Sequence, residues 1–200
     1  MSSVGPSNVD LAVQGLSVKI VGYNCRFKLG FNVDMRLLAA SLLTADYNPR
    51  YPTVRVRLTN PQCCISVSYH GHCTIFGCES VAQAATAAAV FLKLLDEIED
   101  FAGLARPSPL TVVSITCLTD LGHGVRLDMA AAAPLSTFSS AVYQPEIMPS
   151  LQVVFKVADR NVCCSVFANG QVTIVGARNI FDTRDVITKL YAGLVDYFIT

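Results

Sequence analysis

The chain contains one pattern twice, and this repetition limits the possible folds more than any other feature. Tyr47 and Pro49 frame a Tyr-x-Pro motif that returns at Tyr143 and Pro145. Further motifs return in the same order: Cys63-Cys64 as Cys163-Cys164, Ser66-Val67 with Gly71 as Ser165-Val166 with Gly170, and 74–77 as 173–176. Ordered matches at a spacing of roughly 100 residues predict a duplicated unit of small-domain size.

Each half is predicted to form the same series of elements: a strand, a short helix, a meander of three strands and a long helix. Pro49 disfavours a helical conformation before it and ends a short helix in the first half. Ser80 and Gln83 have the spacing of a capping box that begins the long helix. The first half predicts strands at 17–27, 53–59, 63–69 and 72–76, with helices at 33–43 and about 80–98. The second half predicts strands near 110–118, 151–158, 162–168 and 171–175, and a helix from about 182.

The predicted organisation is an N-terminal tail at 1–15, a first repeat at 16–103 and a second repeat at 109–200. The segment 102–108 between them is predicted to be a linker, and the alanines at 130–133 predict a tightly packed helix.

Composition excludes several classes of protein. Hydrophobic residues make up 52% and charged residues 15%, which excludes a disordered chain and a charged coiled coil. The charges of the 15 basic and 15 acidic residues cancel, so a basic surface that binds nucleic acid over the whole protein is not expected. Mean hydropathy is +0.45, which predicts a sizeable interface with a partner or by self-association. We find no signal peptide and no apolar run of about 20 residues, so no membrane partner is expected.

The residues that carry metal or catalytic chemistry do not form a site in the sequence. Cysteine and histidine cluster in one stretch, but no C-x-x-C pair occurs, and adjacent cysteines in a strand point to opposite faces. The second cysteine pair has no histidine near it. We therefore predict buried, reduced thiols of an intracellular protein, with no metal and no cofactor. The chain has no phosphate-binding loop and no nucleophile elbow, so it is not expected to be an enzyme. The clustered residues are Cys63, Cys64, His70, His72, Cys73 and Cys78.

An antiparallel meander keeps its helices on one face of the sheet. The strands here place Val, Ile, Thr, Cys and Phe on both faces. An uncovered sheet face that is β-branched and weakly charged predicts a binding surface.

The motifs from Tyr47 to Gly77, repeated from Tyr143 to Ala177, resemble those of the TATA-box-binding protein family over roughly 16–199. This resemblance implies an α+β saddle. Two pseudo-symmetric repeats share one curved antiparallel sheet of ten strands, with four helices on the convex face. It further implies a transcription initiation factor whose concave face lies in the minor groove of double-stranded promoter DNA, where apolar wedges at two stirrups kink the duplex.

The resemblance carries the wedge positions onto four residues of this chain, where the family has phenylalanine. Tyr51 and Ser68 occupy them in the first half, and Met148 and Phe167 in the second. Phe167 alone is retained, Met148 is still apolar, and Ser68 cannot wedge. We therefore expect weak, asymmetric or partner-dependent DNA binding.

The resemblance also implies the remaining DNA-binding positions. The family's two asparagines that bond base edges correspond to Lys19 and Thr111. Arg57 matches a basic position that contacts phosphate, and Lys156 matches another such position to within two residues. The other groove-facing positions are Val21, Thr74, Phe76, Val113, Thr173 and Val175.

Glu146 and Ile147 lie where family members contact a TFIIB-type factor, which implies a role in a preinitiation complex in the nucleus. The long helix of the first half is acidic where the family's is basic, which should change partner choice. The alternative interpretation is a scaffold for protein interactions that keeps the fold but has lost DNA binding.

Overall fold

The structure is a computed structural model that describes residues 15–132 and 138–199. Contacts divide it into two compact units, one from Gly22 to Val113 and one that joins the residues up to Val21 with those from Ser114 onward. The predicted boundaries of the two repeats stay predictions. Within the described ranges, no helix is both long and apolar enough to span a membrane.

The first unit is an antiparallel array in the order β2-β3-β4-β5-β1, with two helices. The loop from 102 to 108, predicted to be a linker, is held against the end of β1: the Arg106 amide donates to the Leu29 carbonyl at 2.7 Å, and the Ser108 amide to the Lys28 carbonyl at 2.9 Å. The elements are β1 Val18–Lys28, α1 Met35–Ser41, β2 Ala45–Tyr47, β3 Thr53–Thr59, β4 Gln62–Ser68, β5 His72–Cys78 and α2 Val81–Asp96.

The second unit has the same plan, in the order β6-β11-β10-β9-β8, and β12 pairs with β7 in a separate small sheet. A 3₁₀ turn at Val195–Tyr197 follows its last helix. The elements are β6 Thr111–Asp120, β7 Gly124–Val125, α3 Leu127–Ala132, β8 Ser140–Gln144, β9 Met148–Val157, β10 Arg160–Phe167, β11 Gln171–Ala177, α4 Ile180–Leu194 and β12 Phe198–Ile199.

The predicted meanders of three strands are each extended by a short edge strand, β2 or β8. In β2, Asp46 pairs with Arg55 of β3. A three-residue strand is too short to show the alternation of apolar and polar residues on which strand prediction depends. The other eight strands of the two arrays lie where the sequence predicts them, with ends that differ by up to three residues.

Capping side chains set the ends of the helices. The capping pair predicted for α2 is present, since the Gln83 amide donates to Ser80 Oγ at 3.1 Å. The short helix predicted at 33–43 is in fact α1 Met35–Ser41, because the Asp34 carboxylate accepts from the amides of Arg36 and Leu37. In α3, Ala130 is buried but Ala132 is exposed, so the predicted tight packing holds for part of the run; Ala133 lies outside the described residues.

The core of the first unit lies between its helices and one face of its strands. Val54 and Val56 of β3 and Ile65 of β4 are fully buried, and they belong to one cluster with Phe91 of α2. Each such side chain contributes about 1.5–3 kcal/mol when it leaves water. The residues between them in the strands face the other way, and their side chains make up the surface described below.

A glycine shapes the turn of one hairpin in each unit. Gly71 follows β4 with φ +71°, and Gly170 follows β10 with φ +91°. In each turn the glycine carbonyl accepts a hydrogen bond of 2.9 Å, from the Leu29 amide or the Leu121 amide. A Cβ at Gly170 would run into the His123 carbonyl, so the backbone approaches there more closely than any other residue type permits.

We expect Gly170→Ala to destabilise the protein strongly. The matched control is Gly103→Ala: Gly103 also has positive φ, +70°, but a Cβ added there would meet open space. The control should lose about 1–2 kcal/mol from the left-handed backbone alone. Chemical denaturation of both variants measures the difference, and equal losses would show that the close approach to His123 has no energetic weight.

Candidate nucleic-acid interface

The strands of each unit have an open face, which we define as the set of side chains that alternate with the buried ones. In the first unit the register places one residue from each of four strands in a cross-strand row, and the second unit has the corresponding row. The first-unit row is Arg55–Ser66–Thr74–Arg26, and the second-unit row is Gln152–Ser165–Thr173–Leu118. Serine and threonine recur at the two centre positions, while both end residues differ.

The adjacent row contains the wedge position that lies on β4 or β10. In the first unit Thr53 pairs with Ser68, whose Oγ accepts from the His72 amide at 3.3 Å, and His72 pairs with Lys28. Phe167 takes the place of Ser68 in the second unit. The corresponding second-unit row is Ser150–Phe167–Gln171–Asp120.

The second unit presents two apolar side chains together on its open face. Phe167 pairs with Ser150, and Met148 lies two residues before Ser150 on the same strand. The β8–β9 pairing is irregular between Met148 and Leu151, so the register alone does not fix the face of Met148. The Gln152 side chain does, because it reaches Met148 Sδ and accepts from Ser165 Oγ, two residues before Phe167 on β10. Gln152 Nε2 donates to Ser150 Oγ at 2.8 Å and to Met148 Sδ at 3.3 Å, so a polar network holds the thioether of the methionine.

The first unit has no such apolar pair. Tyr51, the counterpart of Met148, is 63% exposed and stands in a turn closed by a 2.9 Å bond from its amide to the Asn48 carbonyl. Ser68 stands where Phe167 stands in the other unit. A hydroxyl and a phenol on this surface cannot supply the same apolar wedge.

The remaining groove positions inferred from the sequence lie on the strands. Phe76 and Val175 occupy equivalent places, opposite Cys64 and Cys163, and are 42% and 41% exposed. Thr111 is exposed, and its hydroxyl donates to the Arg26 carbonyl at 3.2 Å, so that proton is already engaged. Lys19 is exposed, whereas the half-buried positions are Val21, Thr74, Val113 and Thr173.

The register gives Arg57 and Lys156, the two positions matched to phosphate-contacting residues, different places in the two repeats. Arg57 pairs with Cys64, and the counterpart of that pair is Val154 with Cys163. Lys156 lies two residues further along and pairs with Asn161. Arg57 and Lys156 are both exposed, but they are not equivalent in the two repeats.

Three further basic residues of the open face were missed by the sequence analysis. Arg55 lies two residues before Arg57 on β3, and Arg26 and Lys28 lie two residues apart on β1. All are exposed and alternate with fully or nearly fully buried residues. Basic residues at a period of two within an apolar strand were the signal that could have revealed them.

The cysteines are not all buried, which corrects the sequence prediction. Cys163 is exposed and Cys64 half-buried. The pairing register makes these two equivalent, so the two Cys-Cys pairs are offset by one residue instead of matching in order. Burial raises the pKa of Cys63 and of Cys73 to about 12. Across the two described stretches, no three metal-ligating side chains come together.

The turn between β8 and β9 carries the two residues inferred to meet a protein partner. Ile147 is 79% exposed, although its amide donates to the Gln144 carbonyl at 3.0 Å. Glu146 beside it is exposed as well. An apolar side chain held outward on a closed turn is suited to contact with a protein.

Comparison with known proteins identifies the family. The family model described as transcription factor TFIID, or TATA-binding protein, matches residues 17–98 and 109–197. The chain belongs to the TATA-binding protein family. It is 26% identical to the TATA-box-binding protein of Pyrobaculum neutrophilum over 187 residues, which is 93% of this chain and 91% of that protein. It is 27% identical to that of Methanococcus vannielii over 179 residues, 88% of this chain and 93% of that protein.

A solved structure agrees with this assignment. The structure of Methanococcus jannaschii TBP matches with a TM-score of 0.67 and 26% identity, covering 90% of this chain and 98% of that one. The predicted fold class, a large antiparallel sheet with few helices built from two TBP repeats, is therefore confirmed. TATA-binding proteins are transcription factors that act on DNA and are not enzymes, which confirms the prediction that this chain has no catalytic role.

The exposure of the thiols leads to a test of the open face. A maleimide should label Cys163 first and Cys64 more slowly, while buried thiols such as Cys73 react only after unfolding, because burial keeps them protonated and shielded. Peptide mass mapping after timed labelling at pH 8 measures the order. Cys163→Ser should remove the fast phase, and a fast phase that persisted in this variant would contradict the described exposure.

Proposed function

We propose that this protein is a transcription initiation factor that binds core-promoter DNA in the minor groove and acts in the nucleus within a preinitiation complex. The observation that carries the proposal is that Met148 and Phe167 share the open face of the second unit, where Gln152 links Met148 to Ser165. Apolar side chains inserted at a base step unstack it and kink the duplex. Membership of the TATA-binding protein family supports this use of the face.

The proposed kink is asymmetric. Unstacking a step costs a few kcal/mol, which has to be offset by apolar contact with the bases. Phe167 and Met148 supply that contact on the second unit, whereas Tyr51 and Ser68 do not supply it on the first. The protein should therefore kink DNA at one position, and its affinity should depend on partners more than that of a symmetric wedge protein.

The centre of the open face is suited to shape-based recognition. The minor groove presents few distinguishing groups, so reading it depends on width and van der Waals contact. Thr74 and Thr173, with the exposed Phe76 and Val175, provide a weakly polar surface for this purpose. We expect a preference for AT-rich DNA over a random sequence.

The turn with Glu146 and Ile147 is the proposed contact for a TFIIB-type factor. Both side chains are exposed next to Met148, so a protein bound there would lie beside the kinked step. Such a partner would stabilise the bent complex by mass action without a change in the wedge itself.

Removal of the wedge should distinguish the contributions of the two units to DNA binding. Phe167→Ala should weaken binding to an AT-rich duplex by about 10- to 100-fold, because a buried phenylalanine contributes about 1.5–3 kcal/mol. Tyr51→Ala should have a much smaller effect on affinity and on the bend. Fluorescence energy transfer across a doubly labelled duplex, AT-rich or random, measures both quantities with and without a TFIIB-type factor. Equal effects of the two substitutions would contradict the asymmetry, and no salt-dependent binding in any mixture would favour a scaffold without DNA.

Substitution of the turn should affect the partner alone. Ile147→Ala with Glu146→Gln should reduce capture of a TFIIB-type factor on preformed protein–DNA complexes at least about tenfold, since both an apolar contact and a charge are lost. DNA affinity without the factor should stay unchanged. The control is Phe181→Ala, which removes another exposed apolar side chain, on α4. Equal loss in the control would show that the turn is not the contact.

A further inference from the structure

An open cleft of about 840 Å³ lies in the first unit where the strands end and α2 begins. Phe76, on the open face, borders it on one side, and Glu79, directly before the cap of α2, borders it on another. We call this space the α2 cleft. Its lining includes Arg57, Cys63, Cys64, Phe76, Glu79 and Gln83.

The hairpin beside the α2 cleft is shorter than its counterpart in the second unit. The last pair of the β3–β4 hairpin is Thr59 with Gln62. The β9–β10 hairpin continues one pair beyond the equivalent position, to Val157 with Arg160. The second unit therefore has two additional hairpin residues at the place where the first unit has the cleft.

The second unit closes this place with an ion pair. Arg178 precedes the cap of α4 as Glu79 precedes the cap of α2, so the two residues are equivalent. Arg178 Nη2 lies 3.4 Å from Oδ2 of Asp159, which belongs to the turn of the longer hairpin. The side chain before the helix thus contacts the hairpin in the second unit.

The glycines before the two helices report the same difference in closeness. A Cβ at Gly176 would lie 2.9 Å from the Asn161 carbonyl oxygen at the start of β10. The nearest atom to a Cβ at the equivalent Gly77 is the Cα of Cys63, at 3.9 Å. The backbone at the start of β4 therefore leaves more space in the first unit.

Glu79 has no counterpart of the cation–carboxylate contact that Arg178 makes. The turn of the shorter hairpin consists of Asn60 and Pro61, which are uncharged. In the ranges 15–132 and 138–199, no ion pair includes Glu79. Its backbone is nevertheless fixed, because its amide donates to Gln83 Oε1 at 2.6 Å. The cleft therefore presents an exposed carboxylate in a fixed position, with room beside it for a cation.

The other side of the α2 cleft carries the opposite charge. Arg57 pairs with Cys64, and Cys64 pairs with Phe76, so the row from Arg57 to Phe76 spans about 9–10 Å between Cα atoms. Arg57 is exposed, and it forms no ion pair with the part of the chain that the structure describes. The surface between the two charges is neutral, since burial raises the pKa of Cys63 to about 12.

This arrangement of charges selects the kind of ligand. A polyanion such as a nucleic acid would be repelled by Glu79, and a purely basic segment would be repelled by Arg57. A ligand with both charges and an apolar group between them matches Arg57, the ring of Phe76 and Glu79 together. Side chains at alternate positions of an extended peptide lie on one face, and three of them span about 13 Å.

We propose that the α2 cleft binds an extended segment of a protein partner that presents an acidic, an apolar and a basic side chain at alternate positions. The acidic group faces Arg57, the apolar group lies on Phe76, and the basic group pairs with Glu79. The partner thereby supplies the contact that Asp159 and Arg178 make within the second unit, with the charges exchanged. The site is independent of the proposed function, because it requires neither a wedge nor DNA.

The test uses the full chain without DNA and the capped peptide Asp-Thr-Leu-Thr-Arg as the probe. Its binding should shift the amide NMR signals of Gly77 and Glu79. Glu79→Arg should weaken binding at least about fivefold, because an attraction becomes a repulsion. The peptide Asp-Thr-Leu-Thr-Glu should bind this variant more tightly than the first peptide does, which would show direct pairing.

The matched control is Glu99→Arg, which makes the same change of charge beyond the far end of α2. That helix has 16 residues, so the two ends are about 24 Å apart. The control should change the affinity by less than about twofold, because salt screens charges at that distance. Equal losses in Glu79→Arg and Glu99→Arg, or a loss that the acidic peptide does not rescue, would overturn the proposal.

Absence of any shift at Gly77 and Glu79 up to millimolar peptide would overturn it as well. Such a result leaves the proposed kink by Phe167 and Met148 standing, because no DNA enters the experiment. Failure of the kink in DNA experiments likewise does not affect the α2 cleft.

A second measurement needs no variant. Bound peptide should shield Cys64, which lines the α2 cleft, and slow its labelling by maleimide. Cys163, its equivalent in the second unit, should be labelled at an unchanged rate. Equal slowing of both thiols, or no slowing at Cys64, would contradict binding in the cleft. Protection of Cys64 that increases with protein concentration in the absence of peptide would assign the cleft to a second copy of this chain and overturn the proposal.

Discussion

Every feature of this protein depends on the two-residue period of its antiparallel strands, with one face of each strand buried under helices. Val54, Val56 and Ile65 are buried in the core on one face of the first unit. The residues that alternate with them along the strands therefore lie on the open face. A shift by one residue would exchange the two sets completely. The register that secures the core therefore also fixes which side chains can meet a ligand.

Much of the fold followed from the sequence because the repeated motifs carry strong local signals. The pair of Ser80 with Gln83 and the apolar alternation of β3 each gave an element close to its observed bounds. The prediction that Pro49 ends the short helix is wrong, because α1 ends at Ser41 and β2 lies between the helix and the proline. The edge strands β2 and β8 were not predicted, because they depend on pairing with β3 and β9 and not on a local sequence pattern. The extent of α1 depended on Asp34 as its cap, a role that spacing alone did not single out.

The sequence supplied candidate positions for the site but not the way in which the strands arrange them. The wedge positions were inferred by resemblance, and the hydrogen bonds of Gln152 place Met148 on the same face as Ser165 and Phe167. Arg26, Lys28 and Arg55 could be interpreted only after cross-strand pairing had placed β1 and β3 on either side of β4 and β5. The offset between the cysteine pairs shows the same limit of sequence comparison, because identical residue pairs in the two repeats can place their side chains on different faces of the sheet.

The hydrogen bonds of Gln152 have a thermodynamic consequence for the methionine that stands in place of an aromatic ring. A free methionine loses about 1.5–2 kcal/mol of rotamer freedom when it is immobilised, more than a stiff ring does. With Gln152 held by Ser150 and Ser165 and donating to Met148 Sδ, part of that disorder is already removed in the unliganded state. The flexible Met148 side chain is in this way partly ordered before it binds, as a rigid aromatic side chain would be.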